Sequence, residues 1–385
     1  MGLMSLLDRL KAQIAQDGPI GVPEFFTRCL HDPRDGYYAM RPDLGAGGDF
    51  ITAPLVSQMF GELIGLWAIE TWTRMGRPAP FRLVEMGPGD GTLMSDLLRA
   101  GRLEPEFLAA AEVWLVEVSA PLKTRQAAKL GDGPRWVGRL DDVPAGPMIL
   151  VANELLDCLP ARQFVRTEGG WAERVVGLSQ DGELTFGLRA INPPPRGGGG
   201  RAATGGGSSP GPVSPPSGPS DHLPRWGEDL EAGAVVESSP AQAALASDIA
   251  HRLATDGGAA LLIDYGRAQP EAGDTLQAIQ GHQKVDPLKT AGQADLTVWA
   301  DFPSVVAAAR ETGAKAGPVI TQREFLTALG IEARAQALAM ARPDRAEQVA
   351  RQLDRLIGQA QMGALFKVAC LCAPDLSPPL FEDAT

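Results

Sequence analysis

Apolar residues along this chain recur with two periods that take turns. Met59, Phe60, Leu63, Ile64, Leu66, Trp67 and Ile69 lie at helical spacing and predict a helix over 55–75. Shorter patterns of the same kind predict helices over 3–16 and 22–31. Short strands are predicted at 81–86 and 113–118, and the runs at 148–152 and 259–264 are nearly continuously apolar, as in strands buried on both faces of a parallel sheet. Helical stretches at 91–100 and 120–129 follow the first two strands. Repetition of strand and helix predicts an α/β, doubly wound sheet. Segments 162–165 and 171–178, turned at Gly169-Gly170, predict an added antiparallel hairpin, and 366–372 predicts a late buried strand.

One segment breaks the alternation. Residues 193–220 hold 9 Gly, 8 Pro and 5 Ser among 28 positions, too little apolar surface to offset the entropy of ordering, so a disordered loop is expected there. The pattern divides the chain into a helical N-terminal region at 1–76, a first core part at 77–160, an insertion at 161–258 and a second core part at 259–374.

Charge narrows the partners. With 35 basic and 47 acidic residues the net charge is −12, which argues against nucleic acid and leaves room for a basic peptide. Four cysteines in 385 residues do not make a disulfide framework, and Cys370 and Cys372 read as packing residues. No metal site is expected, because neither a C-x-x-C pair nor a His cluster is present. No apolar run reaches about 18 residues, so no membrane span is expected. The first residues lack a basic segment followed by an apolar one, so no secretory signal is expected and a cytoplasmic setting is.

The chemistry begins where the first core strand ends. Gly87, Gly89 and Gly91 follow it directly and open a helix, an arrangement that lets a ligand approach the backbone. A dinucleotide fingerprint would need its third glycine at position 92, which is Thr. Glu85, two residues ahead of the first glycine, suits a ligand with a positive group, and Glu117 at the end of the second strand can accept hydrogen bonds from two ribose hydroxyls. Together they favour S-adenosyl-L-methionine over NAD. Asp141 and Asp142 are candidates for the edge of an adenine pocket, although a plain loop reading suits them better. Asn153, Glu154 and Asp157, directly after an apolar strand, are placed to meet a methyl acceptor; capping of a following helix would explain the same residues.

Several longer blocks resemble the MidA family of S-adenosyl-L-methionine-dependent methyltransferases. They are Gly48-Asp49-Phe50-Ile51-Thr52-Ala53-Pro54 with Ser57-Gln58-Met59-Phe60-Gly61, then Glu85 to Leu93, Val116 to Ser119, Asn153 to Pro160, Asp264-Tyr265-Gly266, Gly281 to Leu288 and Asp295 to Thr297. The resemblance implies a class I methyltransferase fold, Rossmann-like, with a seven-stranded sheet and a reversed final strand supplied by 366–372. It also implies S-adenosyl-L-methionine held by Glu85, Gly87, Gly89, Gly91 and Glu117. For mitochondrial members it implies methylation of arginine on a subunit of the respiratory NADH dehydrogenase. Carboxylates orient a guanidinium and take its proton, which makes Glu154 the first catalytic candidate and Asp157 the second. His282 and Asp286 are candidates for the acceptor channel, Asn153 for the cofactor's side, and Asp49, Thr52 and Gln58 for a lid. An assembly chaperone without turnover and a small-molecule methyltransferase stay open as alternatives. Oligomeric state is not readable from the sequence.

Overall fold

The computed structural model describes residues 4–40, 51–191 and 230–384. Its central sheet follows from the apolar runs. Strands β1 (Phe81–Met86), β2 (Ala111–Val116), β3 (Arg135–Val137), β4 (Met148–Asn153) and β5 (Gly258–Arg267) are mutually parallel. With β6 (Lys315–Ala316) and β7 (Phe366–Cys372) they stand in the order β6-β7-β5-β4-β1-β2-β3. β7 runs antiparallel to β5, from Ala259↔Cys372 to Tyr265↔Phe366. Seven strands lie on this path, and the short strands Ala300–Asp301 and Ile320–Thr321 raise the sheet to nine.

Alternation of side chains across the strands sends two apolar sets to opposite faces. Leu83, Ile149, Val151, Leu261 and Ile263 pack with helices α1 (Gln58–Arg74) and α2 (Thr92–Gly101). Val84, Leu150, Ala152 and Leu262 pack with α4 (Pro240–Asp256) and α5 (Phe302–Glu311) on the other face, while α3 (Ala120–Leu130) follows β2. Cys370 and Cys372 are buried free thiols on β7.

The chain leaves β1 towards β2 and β3, then returns to β4 on β1's other side. The sheet order therefore reverses between β1 and β4, and a crevice opens at their carboxyl ends. Around that crevice sits a third packing layer. Leu6, Leu10, Phe25, Phe26 and Leu30 of the N-terminal helices pack with Val176, Ala278, Leu296 and Val298. Val176 belongs to a second, five-stranded sheet, and Ala278 and Leu296 to a three-stranded sheet made by Gln277–Gln280, Gln283–Val285 and Asp295–Thr297, which Val298 follows directly. The expected hairpin is part of the five-stranded sheet, as Arg162–Thr167 and Gly170–Leu178, paired through Phe164↔Glu173.

Some boundaries differ from expectation. The helix predicted from 55 begins at Gln58, because Ser57 is extended and its hydroxyl accepts from the Met59 N–H at 3.4 Å, while Ala53–Val56 forms a separate turn. The Gly/Pro/Ser segment and the residues Gly48 to Phe50 lie outside the described residues. Among the described residues, no helix is long and apolar enough to cross a membrane.

Candidate active site

The turn after β1 works through backbone conformation. Gly87, Gly89 and Gly91 all have positive φ, at 66°, 54° and 83°. A Cβ at Gly87 would also stand 3.1 Å from the Leu155 side chain. Asp90 Oδ1 accepts from the Thr92 N–H at 3.0 Å and so caps α2, a task Gly91 cannot perform. Lys129 pairs with Asp90 at 2.6 Å, which helps hold that carboxyl below its ordinary value. Glu85 is 3% exposed, and its Oε2 has no hydrogen-bond partner among the described residues. Burial, with Asp90 nearby, pushes its carboxyl well above the usual range. A buried carboxylate oxygen left open beside a glycine turn fits a cationic group on a ligand.

Glu117 follows β2. One of its oxygens accepts from the Ser119 N–H at 2.7 Å, and the other from Gln126 Nε2 at 3.2 Å. Val118, 76% exposed, places an apolar side chain at the rim beside it. Asp141 and Asp142 are exposed in a short helical turn, and Gly138 lines the cavity in their stead.

Beyond β4 no helix begins at Asn153. The chain instead turns over Asp264, a fully buried residue of β5. Asp264 Oδ2 accepts from the Leu156 and Asp157 N–H groups at 2.8 and 3.1 Å, and Oδ1 from the Tyr265 N–H at 2.8 Å. Glu154 has a φ of 54°, unusual for a residue with a Cβ. Its Oε1 accepts from the Ala53 N–H at 3.0 Å and from Asn153 Nδ2 at 2.9 Å, which ties the core to the N-terminal region. Burial first, then Asp157, pushes the Glu154 carboxyl up to about 8, against the pull of those two donors. Asp157 is raised by burial as well; the Tyr265 hydroxyl donates to it at 2.5 Å and the Cys158 thiol at 3.3 Å.

These groups share one cavity of about 310 Å³. Thr52, Glu85, Gly87, Gly89, Glu117, Asn153, Glu154 and Asp157 all line it. Gly91 stands behind the turn, near Gln126. Three sequence candidates lie elsewhere. Gln58 is exposed on the outer face of α1, where it donates to Glu62. His282 occupies the exposed tip of the hairpin between Gln277–Gln280 and Gln283–Val285, in a left-handed conformation such a tight turn demands. Asp286 is exposed and accepts from the Leu288 N–H. Tyr38, His31, Cys158 and Asp295 line the cavity unannounced by the sequence reading. The Tyr38 hydroxyl lies 2.9 Å from the Cys158 thiol and 3.4 Å from Asp295, and its ring stacks on His31 at 5.6 Å. Among the described residues, the lining carries six carboxyl groups and neither Lys nor Arg. Among the described residues, no group of His, Cys, Asp and Glu is placed to hold a metal ion.

A family model of S-adenosyl-L-methionine-dependent methyltransferases matches residues 63–319. The mitochondrial protein arginine methyltransferase NDUFAF7 of Danio rerio is 35% identical, over 94% of this chain and 86% of that protein. Its counterpart in Homo sapiens is 32% identical, over 95% and 83%. A solved structure of a bacterial protein from Burkholderia thailandensis, bound to S-adenosyl-homocysteine, superposes with a TM-score of 0.77 at 26% identity. It covers 96% of this chain and 92% of that one.

Proposed function

This chain belongs to the MidA family of S-adenosyl-L-methionine-dependent methyltransferases, and from that premise we propose that it methylates an arginine side chain of a protein. When bound, the methyl donor supplies a methyl group on a positively charged sulfur. Glu85, with its open buried oxygen, would hold the donor's ammonium group. The backbone at Gly87 and Gly89 lets the donor lie close, and Glu117 has lone pairs left for ribose hydroxyls.

The observation that carries the acceptor class is the wall beyond the glycine turn. Glu154, Asp157 and Asp295 face the same cavity, and neither Lys nor Arg stands among its described lining residues. Two of them are pushed up by burial, which marks a site that gains by receiving a cation. Glu154 orients the guanidinium and takes the proton its nitrogen releases as the new N–C bond forms. Held by Asn153 and Ala53, it needs little reorganisation to do so. The names of the mitochondrial relatives support arginine as the acceptor residue. We take the protein substrate to be a subunit of a respiratory NADH dehydrogenase, following the family resemblance.

The test is transfer of labelled methyl from S-adenosyl-L-methionine to that purified complex, with the modified residue located by mass spectrometry. Label on arginine with the wild type and a loss of at least a hundredfold with Glu154→Gln are expected. Label on lysine, or none on protein while a small molecule is methylated, would overturn the reading.

A further inference from the structure

The cavity has two halves of different build. Glu85, Gly87, Gly89 and Glu117 come from the carboxyl ends of β1 and β2. The other half draws on three distant segments: Tyr38 from the turn Tyr37–Met40, Asn153 to Cys158 from the end of β4 onwards, and Asp295 from the strand Asp295–Thr297. Hydrogen bonds join them in a row, from the Tyr265 hydroxyl to Asp157, to the Cys158 thiol, to the Tyr38 hydroxyl and to Asp295. Asp157 and Asp295 are 4% and 3% exposed.

Buried acids alone do not define a ligand, but Asn153 adds an independent sign. It is more than nine-tenths buried and lines the cavity. Its amide nitrogen donates to Glu154, while its Oδ1 has no hydrogen-bond partner among the described residues. In its place a buried carbonyl-type oxygen calls for a donor from outside the protein. Glu154, Asp157 and Asp295 line the same cavity, and each carboxylate, once ionised by an incoming cation, accepts only. Such a wall matches a ligand that only donates. A guanidinium carries five N–H donors in one plane and no acceptor, whereas an ammonium carries three on a compact head. The Tyr38 ring, backed by His31, offers a flat surface that favours the planar cation.

We infer that Tyr38, Asn153 and Asp295 form the acceptor pocket of this enzyme and select a planar guanidinium over an ammonium. The inference rests on the arginine reading above and adds residues from the N-terminal region and the late hairpin to it. Tyr38 and Asp295 orient the cation beside Glu154, and Asn153 Oδ1 takes one of its N–H groups.

The experiment uses the full chain saturated with S-adenosyl-homocysteine, titrated calorimetrically with methylguanidinium chloride and, separately, methylammonium chloride. Wild type should bind methylguanidinium at least tenfold more tightly than methylammonium. Asp295→Asn and Tyr38→Phe should each weaken methylguanidinium binding about fivefold or more and leave S-adenosyl-homocysteine affinity within twofold, which also reports that the variants are folded. Equal binding of the two cations, binding of neither, or variants that bind methylguanidinium like the wild type would overturn the inference. If the wild type transfers methyl to arginine on protein yet the variants keep their acceptor KM, the pocket assignment falls while the function stands. Failure of the wild type to label arginine is the separate failure of the function.

Discussion

The side-chain nitrogen of Gln126 donates to the Glu117 carboxylate across 3.2 Å, and the same nitrogen donates to the Gly89 carbonyl at 2.8 Å. Gln126 Oε1 in turn accepts from the Trp136 indole N–H at 2.8 Å. One fully buried amide on α3 thus sets the distance between the glycine turn and the acid after β2, the two halves of the donor's cradle.

Replacing Gln126 by Leu keeps approximate volume and removes all three bonds. The indole N–H of half-buried Trp136 and one lone pair on each of two acceptors then lose their partners, and each such loss costs up to about 1–3 kcal/mol where water cannot reach. Part of that falls on folding and part on the donor's site. A rise of about tenfold in the S-adenosyl-homocysteine Kd, roughly 1.4 kcal/mol, is expected by calorimetry. The acceptor KM measured at saturating donor should stay unchanged. A Kd equal to that of the wild type would show that the cradle holds its shape without Gln126.

Gln126 also shows where sequence reading stops. The glycine turn was legible because strand, turn and helix follow one another within a dozen residues, and Glu85 and Glu117 could be placed from the strand ends alone. Gln126 looks like an ordinary polar residue in a helix; its role appears only when α3 packs back against the turn. Tyr38 and Asp295 stand 257 positions apart and meet through the packing of the N-terminal helices on the late three-stranded sheet. No local period encodes such a meeting. The reverse holds for His282. It sits within a family block, yet the backbone demands of a hairpin tip explain its conformation and carry it out to solvent. The core strands were legible because two-sided burial imposes continuous apolar runs. The helices Gln322–Ala328, Ile331–Ala341 and Ala346–Ile357 were not predicted, although Val349, Leu353, Leu356 and Ile357 of the last stand at helical spacing and pack on the core.

Glu154 makes stability depend on pH. Its carboxyl is raised from an ordinary 4.5 to about 8 by burial and by Asp157. Between those values the folded chain keeps a proton that the unfolded chain has released. The folded state therefore binds more protons, and stability falls as pH rises. The contribution is fully present below pH 4.5 and is lost as pH passes through about 8. Glu154→Gln cannot ionise and keeps an oxygen for the Ala53 N–H. Melting curves should coincide near pH 5 and separate by pH 8.5, with the variant higher by about 2–5 °C. Parallel curves across this range would contradict the raised value.

The same group gives the reaction a pH profile. A guanidinium stays protonated throughout the accessible range, so its pairing depends on the ionised form of the wall that receives it. With Glu154 protonated below about 8 in the unliganded chain, kcat/KM for the acceptor should rise with pH and level off above that value. At saturating acceptor the bound cation favours the ionised form, so the kcat profile should bend at a lower pH. Initial rates with labelled donor between pH 6 and 9.5 check both limbs. A kcat/KM profile without a bend in that range would remove Glu154 from the role of acceptor partner.

Asp264 lies behind the wall and never reaches the cavity lining, so its substitution separates shape from chemistry. Its two oxygens accept three backbone N–H groups, those of Leu156, Asp157 and Tyr265. In Asp264→Asn one oxygen becomes an amide nitrogen, which can only donate. If it faces the Tyr265 N–H, one backbone donor is orphaned; if it faces the turn, two are. Each orphaned donor costs about 1–3 kcal/mol, so the variant should melt several degrees below the wild type. The turn that presents Glu154 and Asp157 should loosen with it, while Glu85 and the glycine turn, on β1, keep their own supports. Expected results are a rise of at least fivefold in acceptor KM and a fall in kcat, with the S-adenosyl-homocysteine Kd within twofold. A lower melting temperature with unchanged turnover would confine Asp264 to folding. A loss of donor binding equal to the loss of acceptor binding would mean that the two halves of the cavity do not hold their shapes independently.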